Sequence, residues 1–197
     1  MRSEAKEHRE QQIADAAYAL MSEKGYQGLS MLAVAKRAKA SNETLYRWYG
    51  DKLGLFQALI ARNAQRIVEA LDHATKEDLS ARETLRGIGP VLLAMLLSPQ
   101  AIALNRAAAA DASNTLGQVL AQSGRGEVFP RIQALFQQLV DQGELNGPVE
   151  TAATLWISLL IGDWQVRCAT GAMPPPSAAR QSERAQSAEA YLFQLLG

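Results

Sequence analysis

Ser30–Leu59, SMLAVAKRAKASNETLYRWYGDKLGLFQAL, is the stretch whose reading decides the fold. It divides into two short helices around a tight connection, followed by the opening of a longer helix. Leu29, Val34 and Ala35 supply apolar positions for the first helix, and Ser30 stands where an N-cap hydroxyl belongs. Ala38-Lys39-Ala40 makes the connection. Ser41 or Asn42 caps the second helix, whose inward positions are Leu45 with Trp48 or Tyr49. Gly50-Asp51 ends it, Asp51 caps the next, and Leu55, Phe56, Leu59 and Ile60 form a helical stripe. Two short helices about a three- to four-residue turn make a helix-turn-helix, a unit whose second helix can enter a DNA major groove.

Working outward, the same period-3.6 patterning continues through the chain and period-2 alternation does not appear, so the expected class is all-α. Arg9–Lys24 reads as a helix (Ile13, Ala16, Ala17, Leu20, Met21) stopped by Gly25. Lys52 to about Ala74 reads as the fourth helix, long enough to link a small head to a larger body. The division expected is 1–52 for the head and 53–197 for the body. Beyond the polar break at Thr75–Asp78, helices are expected over Ala81–Leu97, from Ser98-Pro99 to about Ala112, and from Asn114-Thr115 to about Gln122. Gly87, Gly89 and Pro90 predict a kink or a frayed start in the first of these. Ser123–Gly126 reads as a loop and Val128–Gln142 as an amphipathic helix. A single strongly apolar helix is expected from Val149 to about Thr170, then a stiff Gly171–Pro176 linker and a last helix over Ala178–Leu196.

Twenty Lys and Arg balance twenty Asp and Glu, but unevenly. Residues 1–66 carry 11 Lys/Arg against 7 Asp/Glu, and residues 67–197 carry 9 against 13, so a net +4 first third precedes a net −4 remainder. Phosphate contacts need Lys and Arg, so the asymmetry suits a basic DNA-binding head. Apolar runs are too short to span a bilayer, and the polar N-terminus has no secretory character, so no membrane partner and a cytoplasmic location are expected. Cys168 is the only cysteine, which removes any intrachain disulfide or cysteine-based zinc site.

Ser41-Asn42-Glu43-Thr44-Leu45-Tyr46-Arg47-Trp48-Tyr49-Gly50-Asp51-Lys52, with Leu55 and Phe56 after it, closely resembles the signature of the TetR (tetracycline-repressor) family. Ile13, Ala16-Ala17, Leu20, Gly25-Tyr26 and Ser30 resemble that family's first helix and its exit, and the resemblance covers residues 8 to 60. Two positions depart from it. Lys39 stands where the family usually places a turn glycine, so the turn takes another geometry or a strained left-handed one. Leu32-Ala33 replaces a pair that is commonly polar. The resemblance implies a transcriptional regulator, by family default a repressor, that binds a palindromic operator in double-stranded DNA as a homodimer and answers to a small-molecule effector.

The residues it implicates in DNA binding are Ser30, Lys39, Ser41, Asn42, Glu43, Thr44, Tyr46, Arg47, Trp48 and Lys52. Arg47 suits a guanine edge or a phosphate, Asn42 an adenine, and Thr44 a thymine methyl. Tyr46 offers a hydroxyl to a phosphate, and Lys52 joins the amides of a helix start as an anion site. Glu43 accepts from cytosine or caps its helix; Lys36, Arg37 and Lys39 suit phosphates; Trp48 serves the groove or the head's core.

The family's dimerisation through its last two helices implies an interface with Trp156, Leu159, Leu160, Leu192 and Leu195. The expected effector pocket draws on Met95, Asn105, Arg106, Phe136, Trp156, Trp164 and Arg167, among which Met, Phe and Trp at helical spacing equally describe a plain core. With only His8 and His73, and with no metalloprotease, phosphate-loop or triad spacing, an enzyme is not expected, nor is a metal or a cofactor. The competing class is a helical adaptor that keeps the helix-turn-helix shape without using it on DNA.

Overall fold

Short polar side chains set the helix starts of this chain, whose computed structural model describes residues 2–197. The first helix, α1 (Arg2–Lys24), ends as Gly25 turns to φ +68°. It begins seven residues before the sequence reading because its first two turns are polar and carry no apolar stripe. Ser30 accepts from the Ala33 amide (3.2 Å) to open α2 (Met31–Arg37), and Ser41 accepts from the Thr44 amide (3.0 Å) to open α3 (Asn42–Tyr49). Asp51 accepts from the Gly54 amide (2.8 Å) at the head of α4 (Lys52–Lys76). Such caps satisfy amides that have no intrahelical partner. Ser80 and Glu83 form a reciprocal capping box at the start of α5 (Ala81–Leu96), which runs unbroken through Gly87, Gly89 and Pro90. At Leu97-Ser98 the chain bends by 57° into α6 (Pro99–Ala109), which ends three residues short of the expected Ala112.

Two expectations fail here for tertiary reasons. Ser123–Gly126 is no loop: α7 (Thr115–Leu120) runs through a π-helical turn, Ala121–Arg125, straight into α8 (Gly126–Asp141). Gly124 presses on α4 so closely that a Cβ there would lie 3.2 Å from Ile60 Cγ2. Packing on α4 thus holds helical a glycine pair that local propensity assigns to a turn. The expected single helix Val149–Thr170 is two, α9 (Val149–Ile161) and α10 (Trp164–Thr170), because Gly162 adopts φ +49°. The last helix, α11 (Ala178–Leu196), explains the break. Its Arg184 donates from Nε to the Leu160 carbonyl (3.2 Å), and its guanidinium occupies the space a Cβ at 162 would need.

Two apolar cores follow. Ile13, Ala17, Leu20, Met31, Val34 and Leu45 close around Leu55, Phe56, Leu59 and Ile60 of α4, and Leu104, Ala107 and Leu116 join them from the body. The larger core has Leu85, Leu93, Phe136, Leu139, Trp156, Leu160 and Leu192 at its centre and takes Ala64, Ile67 and Leu71 from the far half of α4. Helix α4 therefore belongs to both cores. Gly89 lets α5 approach α11, where a Cβ would come within 3.1 Å of Ala185. Among the described residues there is no strand, and no single helix is long and apolar enough to cross a membrane.

Candidate nucleic-acid interface and body cavity

The turn between α2 and α3 keeps its tight geometry without a glycine. Lys39 takes φ +51°, the left-handed region, and the Ala40 amide reaches back to the Ala35 carbonyl at 2.9 Å. Arg9 of α1 braces the turn, its Nη1 donating to the carbonyls of Ala38 (3.4 Å) and Lys39 (3.3 Å). The lysine's own side chain remains exposed.

Helix α3 is sharply two-sided. Leu45 is fully buried, with Trp48 and Tyr49 half-buried beside it in an edge-on contact of 6.4 Å between ring centroids. Burial also pushes the Tyr49 hydroxyl up to about 12. The opposite face exposes Asn42, Glu43, Tyr46 and Arg47. These stand one turn apart in two rows, 42/46 and 43/47, a strip of the width a major groove admits. None of the ion pairs among the described residues involves Glu43 or Arg47. Ser30 and Ser41 act as caps, and Ser41 also shares a 2.8 Å hydrogen bond with the half-buried Thr44. Trp48 belongs mainly to the head's core.

The cations around this face divide into held and free. Arg37 makes a two-pronged pair with Glu23 of α1 at 2.7 and 2.6 Å, and that contact lowers the Glu23 carboxyl and raises the Arg37 guanidinium. Lys52 lies over the Tyr26 ring, Nζ 4.1 Å from the centroid, and partial burial lowers its pKa. Lys36 and Lys39 are exposed.

The body holds a cavity of about 410 Å³ between α4, α5, α6, α7, the π turn, α8, α9 and α10. Its wall is mostly apolar, with Ile60, Ala64, Leu92, Met95, Leu104, Val128, Phe129 and Ile157 among its residues. Polar groups come from Asn63, Asn105, Gln165 and Arg125. Of the seven pocket candidates named from sequence, Met95 and Asn105 line it. Phe136 and Trp156 fill the body core instead, at 0% and 1% exposure, because large rings go where most apolar area can be buried. Trp164 is buried beneath the guanidiniums of Arg180 and Arg184, Arg167 pairs with Asp163 across one helical turn, and Arg106 binds the Cys168 and Ala169 carbonyls at the end of α10. Asn63, Arg125, Phe129 and Gln165 were not foreseen. The sequence carries no periodic signal for them; of the two glycines on this wall, Gly117 faces open space while Gly124 packs on Ile60 of α4.

Among the interface candidates, Trp156, Leu160 and Leu192 are buried within this chain's own core, because α5 and α8 cover them. Leu159 is half-buried and Leu195 is 62% exposed. Val166 and Tyr191, exposed on α10 and α11, join Leu195 as outward apolar side chains.

Comparisons with known proteins agree with this anatomy. A family model described as "Bacterial regulatory proteins, tetR family" matches residues 13–59, and one described as "AefR-like transcriptional repressor, C-terminal domain" matches residues 83–193. The chain is 30% identical over 173 residues to the HTH-type transcriptional repressor KstR of Mycobacterium tuberculosis, covering 85% of this chain and 76% of that repressor. It is 39% identical over 72 residues to KstR of Mycolicibacterium smegmatis, a match that spans 36% of this chain and only about a third (35%) of that relative. The crystal structure of a TetR transcriptional regulator from Agrobacterium tumefaciens is similar at a TM-score of 0.75 and 27% identity, over 96% of this chain and 94% of that one.

Proposed function

The chain belongs to the TetR family of bacterial transcriptional regulators, and on that premise we propose that it is a cytoplasmic homodimeric repressor. It grips a palindromic operator and lets go when a small molecule fills the body cavity. The observation that carries the reading is the outer face of α3, where Asn42, Glu43, Tyr46 and Arg47 stand exposed on a capped, core-anchored helix with Arg47 free of any carboxylate. Asn42 and Arg47 read base edges in the major groove, while Tyr46, Lys36 and Lys39 hold phosphates.

Two copies are required because one eight-residue helix contacts too few bases for useful specificity. A pair of heads reads half-sites about one helical turn apart. The copies join through the outer faces of α9–α11, where Leu159, Val166, Tyr191 and Leu195 supply apolar surface. The effector works through α4, which supplies Ile60, Asn63 and Ala64 to the cavity wall and, through the adjoining Leu55, Phe56 and Leu59, anchors the head. Ligand preferring a displaced α4 moves the heads out of register and favours the unbound state. No catalytic step enters.

The test is operator selection from random duplex DNA with purified protein at roughly 50 and 200 mM salt. Enrichment of a palindrome that Arg47→Ala abolishes supports the reading. Salt-sensitive binding without enrichment removes sequence-specific repression, and no binding at either salt removes DNA binding altogether.

A further inference from the structure

The cavity wall carries a charge pattern that selects a ligand class. Twenty residues line it, and none is Asp or Glu. Its one charged member is Arg125, at the end of the π turn. Arg125 is exposed and makes no ion pair among the described residues; its guanidinium lies 4.5 Å from the centroid of the half-buried Phe129 ring. It therefore marks the mouth, with the apolar chamber behind it. Inside, the neutral amides are already engaged. Asn63 donates to Met95 Sδ (3.2 Å), Asn105 to the Ala101 carbonyl (2.9 Å) and Gln165 to the Leu96 carbonyl (2.9 Å). A cationic ligand would meet an unpaired arginine and no carboxylate to offset it, which disfavours it. A neutral ligand would gain at most a hydrogen bond from Arg125, without charge pairing. An anionic group at the mouth gains a charge-assisted pair with a guanidinium whose position the Phe129 ring already fixes.

We propose that the effector is a single-chain amphipathic carboxylate, its hydrocarbon part in the chamber and its carboxylate on Arg125. This rests on reading the cavity as the effector site. Size follows from the volume: about 410 Å³ holds on the order of fourteen units of ~30 Å³ each, the share of one liquid water. That fits a chain of about ten carbons with its head group. The π turn that presents Arg125 also places Gly124 against Ile60 of α4, so a ligand pulling on Arg125 acts on the helix shared by head and body.

The experiment titrates full-length protein calorimetrically with decanoate, decanol and decyltrimethylammonium, and separately follows release of the selected operator by fluorescence anisotropy. Two variants accompany the wild type. Arg125→Gln removes the charge. Gly117→Leu plugs the chamber, since a Cβ at 117 meets nothing within 4 Å. The expected result is decanoate binding about fivefold or more tighter than decanol, the cation weakest, the gap erased by Arg125→Gln and all binding lost in Gly117→Leu. Decanol or the cation binding as tightly as decanoate, still blocked by Gly117→Leu, overturns the carboxylate assignment and leaves the cavity as the ligand site. Decanoate binding with the expected variant pattern but without operator release overturns its role as effector. Absence of binding by all three probes overturns the proposal, while the operator selection stands or falls by itself.

Discussion

Replacing Lys39 by glycine separates two roles that the wild-type turn combines. The residue sits at φ +51° between α2 and α3, a left-handed conformation that costs an L residue with a Cβ roughly 1–2 kcal/mol. Glycine removes that strain but has more freedom to lose on folding, about 0.5–1 kcal/mol. The hydrogen bonds that shape the turn all end on backbone: the Ala40 amide on the Ala35 carbonyl, and Arg9 on the carbonyls of Ala38 and Lys39. They survive the substitution. Lys39→Gly is therefore expected to stabilise the protein by about 0.5–1 kcal/mol, raising Tm by roughly 1–4 °C for a chain of this size. Operator affinity is expected to fall instead, because the proposed function gives the exposed ammonium a phosphate to neutralise. The slope of log affinity against log salt shrinks by about 0.9 for each phosphate that the protein no longer neutralises. Thermal unfolding followed by circular dichroism, at one fixed protein concentration so that any self-association contributes equally, gives the first number, and fluorescence anisotropy across a salt series gives the second. A lower Tm would show that the lysine side chain, rather than the backbone, holds the turn, and the strain argument would be wrong. An unchanged salt slope would remove Lys39 from the DNA-binding surface.

Phe136 is fully buried with its ring centroid 5.8 Å from that of Trp156, at the centre of the larger core. Phe136→Ala should cost about 3–5 kcal/mol, read as a lower denaturant midpoint; a loss below about 1 kcal/mol would mean the ring is not the keystone its burial implies. The Glu23–Arg37 pair predicts a pH dependence. Arg37 lowers the Glu23 carboxyl below its ordinary 4.5, so the pair's stabilisation is present above that value and is lost as pH falls through the lowered one. Glu23→Gln should accordingly be less stable than wild type near neutral pH, with the gap narrowing as the solution is acidified through the lowered Glu23 value. A gap that stays constant, or widens in acid, contradicts the assignment.

Much of the head was legible because its signals are local. Ser30, Ser41, Asp51 and Ser80 each sit three residues before the amide they cap, and the alternation of Leu45 with Tyr46 and Arg47 separates core from surface on one short helix. Lys39 left two geometries open, and the left-handed one is adopted because Arg9, thirty residues away, closes over the turn. What failed was non-local. The apolar run through Ile161-Gly162-Asp163 reads as one helix until Arg184 of α11 is brought beside it to donate to the freed Leu160 carbonyl. Ser123–Gly126 reads as a loop until Ile60 of α4 is packed against Gly124. Large rings are drawn to cores, which is where Phe136 and Trp156 lie. The cavity wall instead sets large apolar side chains beside small ones, Ala64, Ala101, Gly117 and Ala121, whose missing atoms give no sequence signal.

That wall bears on how the proposed effector binding would reach the head. Ile60 is 2% exposed and is counted in the head's core, yet it also lines the cavity and touches Gly124 of the π turn. On the same helix, Asp51 and Lys52 abut the end of α3, and Tyr18 of α1 hydrogen-bonds the Leu59 carbonyl at 2.8 Å. A ligand that fills the cavity would therefore contact a side chain packed in the same core as α1 and α3. Tight binding alone releases nothing: carrying a population from 1:99 to 99:1 requires about 10⁴-fold tighter binding to the released state. Ile60 is positioned to supply that difference, because close-packed cores switch between discrete arrangements rather than yielding gradually. The π turn, Ala121–Arg125, packs on Ile60 through Gly124 and would share in any such shift.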